Sequence, residues 1–319
     1  MLTLGLWEGK NFMPLDFSFH NEPGKNGKRG MKERELESQF TKHRNEETVS
    51  FKRIQEVAAD KIENCIRMIG RAVKKGIRAD YVLADSWFIC EKFIVGIQSI
   101  KGANLDIIGL MKTNRKIILN GKTFMANEIP EIKMKDIQTS TKLKCKYITH
   151  IVQYKGITMR VYWVRMKGQA NWKMLVSTDQ KLSFTSAMQH YQVRWSIEVF
   201  FKDCKQKLHL NGCQSTDLDA HIATVSIVFM NYMILAVKKR FDDYETLGGL
   251  FNNVKEIIIE DTLVIKIWNI FIQSYNDIFA PLGVEWEMFI KQLIDNTEVI
   301  NEIILQQLES IFKIKKNAA

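Results

Sequence analysis

Residues 80–111 read DYVLADSWFICEKFIVGIQSIKGANLDIIGLM, and this stretch decides the fold class. A short apolar run that ends at Asp85 predicts a buried strand, and the segment from Trp87 to Ile100 predicts a helix that stops at Lys101-Gly102. A second apolar run, Leu105 to Met111, predicts another strand. Strand, helix and strand within about 35 residues are typical of a parallel βαβ unit. The chain is therefore expected to have an α/β core.

The sequence before this unit predicts a hairpin and a helix. The runs LTLGLW and NFMPLDFSF flank a turn at Glu8-Gly9-Lys10, which is the pattern of two antiparallel strands. Residues 21–46 are rich in Gly, Lys, Arg and Glu and indicate a solvated basic loop. Apolar residues at three- and four-residue spacing predict one helix from about Thr48 to Lys75.

After this unit the pattern of apolar and polar residues changes twice. Residues 112–171 contain short alternating stretches joined by Asn-Gly and Lys-Gly turns, which predict an antiparallel β insertion. Residues 183–210 predict a long helix with Ser183 as its N-cap, and the chain is helical in pattern from Asp219 onward. The expected domains are a core in two parts, an insertion and a helical extension: 1–111 and 172–212, 112–171, and 213–319.

Composition limits the class of protein. The chain has 319 residues, of which 46% are hydrophobic and 26% charged, as in a folded globular protein. Its formal charge is +10, which fits a phosphate-rich partner, although ordinary solubility charge is the alternative. The five cysteines are widely spaced, without the spacing of a zinc site or a disulfide framework, so reduced thiols in a cytoplasmic protein are expected.

The sequence is not expected to enter a membrane. The N-terminal segment lacks the basic and apolar regions of a signal peptide. The most apolar stretch, Ile222 to Val237, is shorter than the roughly 20 residues that span a bilayer, and Asn231 interrupts it. We therefore predict a buried helix there.

The segment YQVRWSIEVFFKDCK, residues 191–205, carries the chemistry. Four- and seven-residue offsets nearly realign on a helix, so five polar residues fall within an arc of roughly 80°. They are Tyr191, Arg194, Glu198, Lys202 and Lys205. The plain alternative is a solvated helix face with an Arg194–Glu198 ion pair worth about 0.3 kcal/mol.

The spacing Tyr, two residues, Arg, three residues, Glu, six residues, Lys resembles the signature of DDE transposases of the insertion-sequence-four family. The resemblance covers about residues 1–240 and implies a ribonuclease-H-like core. The first 19 residues resemble the second and third strands of that core. The segment ADYVLADSWF resembles its fourth strand, and Asp85 then stands in the place of the second catalytic aspartate.

The resemblance implies a metal-dependent reaction on DNA. Asp85 and Glu198 would be catalytic residues and ligands of Mg²⁺, which prefers carboxylate oxygens and in such enzymes acts as a pair of ions. Without the resemblance, Asp85 could equally end a strand or cap a helix ahead of Trp87. Double-stranded DNA, as transposon end and target, is the expected partner, and a homodimer is expected in the DNA complex.

Five residues are candidates for DNA contact. By resemblance, Tyr191, Arg194 and Lys205 contact the transposon end, whereas Lys202 lies outside the signature and is a weaker candidate. Trp172 matches a position where some relatives stack a tryptophan on a flipped base. The alternative for Trp172 is a packed aromatic that closes the insertion.

The chain also departs from the family pattern. The family's first catalytic aspartate lies on the first strand, upstream of the segment that Met1 begins. Asp16 ends an apolar strand, but the resemblance makes that strand the third. We therefore expect a truncated, inactive transposase. The alternatives are a DNA-binding remnant that inhibits intact transposase and an unrelated metal nuclease, which would not need the Tyr–Arg–Lys stripe.

Overall fold

The computed structural model describes residues 1–21, 32–241, 248–252, 254–255, 265, 268–270, 272–273, 275–283 and 285–296. Two compact units form the chain, residues 1–248 and residues 249–319. Residues 22–31 of the predicted basic loop and much of the predicted C-terminal helical region lie outside the described residues.

The first unit opens with the predicted hairpin. Strands β1 (Leu2–Trp7) and β2 (Phe12–Ser18) pair antiparallel as a two-stranded sheet. Leu2 lies opposite Ser18 and Trp7 opposite Phe12, with a shift in register between Leu4 and Gly5. The predicted hairpin is confirmed.

The helical region that follows differs from the prediction. Helix α1 (Glu33–Phe40) occupies part of the segment predicted as a loop. The single helix predicted over 48–75 is two helices, α2 (Val49–Val57) and α3 (Lys61–Lys74). The Asp60 carboxylate accepts hydrogen bonds from the first-turn amides of α3 and therefore starts a new helix there.

The βαβ unit is present. Strand β3 (Tyr81–Ala84), helix α4 (Glu91–Gln98) and strand β4 (Asp106–Met111) follow in order, and β3 pairs parallel to β4. Gly109 lies opposite Ala84 in this pairing. A Cβ on Gly109 would come within 2.5 Å of Ile89 and 2.8 Å of the Ala84 carbonyl oxygen, so only glycine fits. This close approach lets the chain turn sharply after β3.

The predicted β insertion is built from antiparallel strands that continue the same sheet. The elements are β5 (Lys116–Leu119), β6 (Lys122–Met125), α5 (Ile129–Ile132), a 3₁₀ turn (Met134–Asp136), β7 (Gln138–Ser140), β8 (Cys145–Tyr154) and β9 (Ile157–Met166). Strand β10 (Lys173–Ser177) joins them to β4. The order is β3-β4-β10-β9-β8-β5-β6, with β7 on β8. The chain thus has a mixed α/β fold.

The long helix predicted over 183–210 is two helices, α6 (Phe184–Val193) and α7 (Ser196–Lys207). Ser183 caps α6 as predicted, since its hydroxyl accepts the Ser186 amide at 3.2 Å. The turn at Arg194 and Trp195 uses hydrogen bonds to residues three positions back. The helices separate because α6 packs on the sheet whereas α7 packs on the hairpin.

Helix α8 (Leu218–Phe241) ends the described part of the first unit. Its segment Leu218–Arg240 is long and apolar enough to cross a membrane by length and composition alone, as the core helices of many soluble proteins are. One face of α8 is buried against Phe12, Phe17 and Phe200. The predicted helix is confirmed but is longer and less completely buried than expected.

The second unit contains described helical segments, among them a π-helical turn (Tyr275–Phe279) and helix α9 (Trp286–Asp295). The rings of Trp286 and Phe289 lie 5.8 Å apart.

Three hydrophobic clusters hold the first unit together. The largest covers one face of the eight-stranded sheet and includes Ile97, Ile107 and Trp163. A second covers the other face and contains Ile108 and Phe184. The third joins the hairpin to α2, α7 and α8. Because α6 and α7 belong to different clusters, the turn between them has a fixed position near the end of β3.

Candidate active site

Asp85 directly follows the last residue of β3 and is exposed. Its Oδ1 accepts a hydrogen bond from the Ser86 amide at 2.7 Å, and its carbonyl oxygen accepts one from the Phe88 amide at 2.9 Å. Helix α4 begins only at Glu91, so Asp85 is not its N-cap. Asp85 follows the end of a strand, closes a short turn and has an exposed side chain.

Glu198 lies in the first turn of α7, where the helix dipole favours a negative charge. Its Oε1 accepts a hydrogen bond from Arg194 Nη2 at 2.7 Å. The side chains are 41% and 24% exposed, respectively, so the solvent-screened pair adds little stability, about 0.3 kcal/mol. The Arg194–Glu198 ion pair that an ordinary solvated helix face would have is therefore present, and it does not by itself identify a functional site.

The Arg194 guanidinium is hydrogen-bonded to Glu198 and interacts electrostatically with Asp85. Burial lowers the pKa of Arg194, but the hydrogen bond to Glu198 and the negative charges of Asp85 and Glu198 outweigh burial and raise it. The guanidinium therefore lies within electrostatic reach of both carboxylates, although they belong to residues 113 positions apart. The turn between α6 and α7 thus brings the helix motif to the end of β3.

Tyr191 completes this group from the last turn of α6. Its ring packs against the sheet cluster that contains Ile108 and Leu175, and the Arg194 guanidinium lies 5.7 Å from its centroid. Burial raises the pKa of the Tyr191 hydroxyl, and the nearby Asp85 charge adds to that increase. The phenol is therefore neutral at pH 7, and its oxygen is buried.

Lys202 and Lys205 extend from α7 into solvent. Lys205 Nζ lies 5.9 Å from the centroid of the Phe201 ring. Within the described part of the chain, neither ammonium forms an ion pair with a carboxylate. Both charges can therefore reach a polyanion that approaches α7.

Trp172 has the contacts of a packed aromatic. It is half-buried against the largest cluster, and the Arg165 guanidinium lies 4.6 Å from its ring. It precedes β10 at the same end of the sheet as Asp85, because β4 runs parallel to β3 and antiparallel to β10. Its base-stacking role stays a prediction.

Asp16 has a different environment from Asp85. Its Oδ1 accepts hydrogen bonds from Arg53 and from the Phe17 amide, both at 2.8 Å, and its Oδ2 accepts one from Arg71 at 2.8 Å. Arg71 also pairs with the buried Glu56. This network was not predicted from the sequence, where its only signal is charged residues on otherwise apolar helix faces. Because cations occupy both carboxylate oxygens, the geometry favours a structural role for Asp16.

The donor set fits one hard metal ion incompletely. Asp85 and Glu198 offer carboxylate oxygens, which Mg²⁺ prefers, and their exposure leaves room for water ligands. No group of three or more Asp, Glu, His or Cys side chains suited to a metal occurs among the residues that the structure describes. A third protein ligand is therefore not provided by that part of the chain.

The family model described as the transposase DDE domain matches residues 56–234, more than half of the chain. The chain belongs to this family. The match includes Asp85 and the whole stripe from Tyr191 to Lys205, and it confirms the predicted kind of protein, a DDE transposase. No curated protein matches this sequence significantly. Transposases act on DNA, and DDE domains generally use divalent metal ions.

Proposed function

We propose that this transposase belongs to the insertion-sequence-four family and acts by cut-and-paste at transposon ends, in a bacterial cytoplasm near the nucleoid. One observation carries the proposal. The Arg194 guanidinium pairs with Glu198 within the field of Asp85, on a helix motif whose Tyr–Arg–Glu–Lys spacing is that of the family. An unrelated nuclease would need the two carboxylates but not the neighbouring phenol and cations.

In this proposal Asp85 and Glu198 would hold Mg²⁺. The bound metal supplies charge stabilisation for the oxygens that enter and leave the phosphorus in an in-line displacement. The chain's own residues position the DNA. Arg194 and Lys205 bind phosphate oxygens, and Tyr191 contacts the same backbone, as the family resemblance implies. Lys202 adds a weaker phosphate contact, and Trp172 stacks on a base.

Binding of DNA would change the partner of Arg194. Without DNA its guanidinium neutralises Glu198. A phosphate group offers two oxygens that the same N–H donors of the guanidinium can bind. Transfer of Arg194 to the phosphate would release the carboxylate for the metal. The proposed site therefore assembles fully only when DNA is present.

We further propose that residues 1–319 form an incomplete ribonuclease-H-like core. Strand β3 is an edge of the eight-stranded sheet, and the hairpin is a separate sheet. Leu4 of β1 and Val82 of β3 nevertheless pack against one cluster. An additional strand that pairs with β3 would bring a third carboxylate beside Asp85. The boundaries 1–111, 112–171, 172–212 and 213–319 stay our proposal for the domains.

A second candidate function follows from the two-carboxylate site. A chain that binds transposon ends without cleaving them would occupy the sites of an intact transposase and inhibit it. The free cations on α7 support DNA binding even if the metal site is incomplete. The described carboxylates favour this non-catalytic remnant over an active enzyme.

We propose a homodimer in the DNA complex, with α8 as its contact surface. Beside its buried face, α8 exposes Ile227, Met230, Ile234 and Val237. Their spacing of three, four and three residues is that of a coiled-coil seam, which packs best against a second helix. An exposed apolar stripe of this kind is typical of interaction surfaces.

The experiment that tests the function uses residues 1–319 and end-bearing duplex DNA in the presence of Mg²⁺. We expect specific binding without nicking, and we expect added chain to inhibit an intact relative that recognises the same ends. Robust cleavage that is lost in Asp16→Asn would show that the chain is active and that Asp16 is the third ligand. Absence of any DNA binding would exclude both functions.

A further inference from the structure

A groove of about 690 Å³ lies along α7 and is not used by the proposed reaction. The hairpin forms one wall, the α6–α7 turn forms the second, and α8 forms the third. An ion pair of 2.8 Å between Glu8 and Arg240 fastens the hairpin turn to the end of α8. The walls therefore have a fixed separation.

The groove has an aromatic floor and an aromatic rim. Phe12 and Tyr232 are buried at its base, and their ring centroids lie 5.1 and 4.7 Å from that of Phe200. Trp7 and Trp195 line the groove but are 39% and 62% exposed. Two exposed indoles around a concave apolar surface are typical of a binding site rather than of a core.

The polar lining of the groove is basic. Lys10 and Lys239 contribute positive charge, and Asp203 is neutralised by its ion pair with Lys207. The carboxamides of Gln189 and Gln192 add donors and acceptors. Flat rings, ammonium groups and carboxamides together suit a nucleotide, which has an aromatic base, hydrogen-bonding edges and a phosphate.

The groove is close to Glu198, since Ser196 and Val199, which flank Glu198 in α7, both line it. Trp195 is the N-cap of α7, about one turn before Glu198, and a helix with its side chains is only about 10 Å across. A DNA strand held at Glu198 therefore needs only a few nucleotides to pass Trp195 and enter the groove. Nucleotides that do so must be unpaired, because a groove of about 690 Å³ is too small for a base-paired duplex.

We propose that this groove binds unpaired nucleotides of a DNA strand, with bases stacked on Trp7 and Trp195 and phosphates contacted by Lys10 and Lys239. The proposal rests on the proposed function, since it takes DNA as the molecule held at the neighbouring carboxylates. The groove would be a second DNA-binding site, specific for single-stranded DNA. Arg194 and Lys205 would contact the duplex.

The test compares two DNA probes by fluorescence anisotropy. One is a blunt duplex, and the other is the same duplex with a four-nucleotide single-stranded overhang. We expect Trp195→Ala and Trp7→Ala each to weaken binding of the overhang duplex roughly tenfold, as base stacking on an aromatic ring predicts. Binding of the blunt duplex should stay within about twofold, and Trp195→Phe should retain most of the overhang affinity.

Trp268→Ala is the matched control, because Trp268 is 50% exposed and does not line the groove. If both groove variants bind the overhang duplex and the blunt duplex as tightly as the wild type does, the proposed nucleotide site is wrong. The proposed function is not affected by that result. An equal loss on both probes would also overturn the proposed nucleotide site, since that marks an ordinary duplex contact. Overhang binding that depends on Trp195 in a protein without blunt-duplex affinity would support the groove and contradict the proposed function.

Discussion

Asp16 and Asp85 occur in similar sequence contexts, yet the structure gives them opposite environments. Each follows apolar strand residues, and either could be taken from the sequence for a catalytic carboxylate. Asp16 is 8% exposed and held by Arg53 and Arg71, whereas Asp85 is exposed and interacts electrostatically with Tyr191 and Arg194. Asp16 lies within β2 rather than at its end. The difference teaches that an acidic residue after an apolar run becomes a candidate ligand only when no cation already neutralises it.

The Asp16 network also has an electrostatic signature. Burial lowers the pKa of Arg71, but its hydrogen bonds to Glu56 and Asp16 outweigh burial and raise it. The network thus keeps charges of both signs in a poorly hydrated region, where removal of one partner leaves another uncompensated. It joins the hairpin to α2 and α3.

The largest expected effect is the loss of stability in Asp16→Ala. Because Arg53 would remain buried without its carboxylate, we expect the free energy of unfolding to fall by about 3–5 kcal/mol. Asp85→Ala should change it by less than about 0.5 kcal/mol, since Asp85 is exposed. Urea unfolding followed by circular dichroism measures both. Similar stabilities in the two variants would contradict the structural role of Asp16.

An intermediate loss of stability is expected for a substitution at Gly109, which contacts the turn that carries Asp85. Gly109→Ala would place a methyl group against Ile89 and the Ala84 carbonyl, and we expect it to lower the free energy of unfolding by about 1–3 kcal/mol. Gly70→Ala is the control, because a Cβ at Gly70 meets no atom within 4 Å. Equal stabilities of these two variants would show that the turn after β3 is not tightly packed.

A smaller effect, on DNA binding, is expected for the cations of the helix motif. Arg194→Ala and Lys205→Ala should each reduce the slope of log affinity against log salt by about 0.9, and affinity at 0.1 M salt by roughly tenfold. Glu198→Ala should bind DNA nearly as well as the wild type. Titrations at several salt concentrations provide the slopes. Unchanged slopes in both cation variants would identify the stripe as a solvated helix face.

The smallest expected effect concerns the competition between Arg194 and a metal ion for the Glu198 carboxylate. Arg194→Gln removes the competing ion pair, so we expect Mn²⁺, a spectroscopic substitute for Mg²⁺, to bind the DNA-free protein about twofold more tightly. Glu198→Gln should abolish that binding. Electron paramagnetic resonance of free Mn²⁺ measures both. Tighter DNA binding together with weaker Mn²⁺ binding in Arg194→Gln would reverse the roles that we assign.

Several features could be predicted from local sequence because local interactions determine them. The hairpin depends on a short turn between two apolar runs, and the βαβ unit depends on hydrophobic periodicity. These are properties of neighbours in the chain. The Tyr–Arg–Glu–Lys stripe was predicted on a single helix, but the break at Arg194 and Trp195 divides it between α6 and α7.

The two predictions of a long continuous helix were wrong, the first for a local reason and the second for a tertiary reason. Asp60 caps α3 and divides the first helix, a signal present in the sequence but outweighed by a continuous apolar pattern. The division at Arg194 and Trp195 has no comparable local signal. It follows from packing, since Phe184 is buried against the sheet and Phe200 against the hairpin.

The sequence by itself determined the α/β class, the carboxylates at a strand end and on a helix, and the cations spaced around Glu198. Tertiary structure decided that Arg194 links Glu198 to the field of Asp85, that Arg53 and Arg71 neutralise Asp16, and that Trp7 and Trp195 share a groove. The physical reason is distance along the chain. Residue spacing sets the direction of a side chain on its own element, whereas burial and charge compensation depend on elements that only folding brings together.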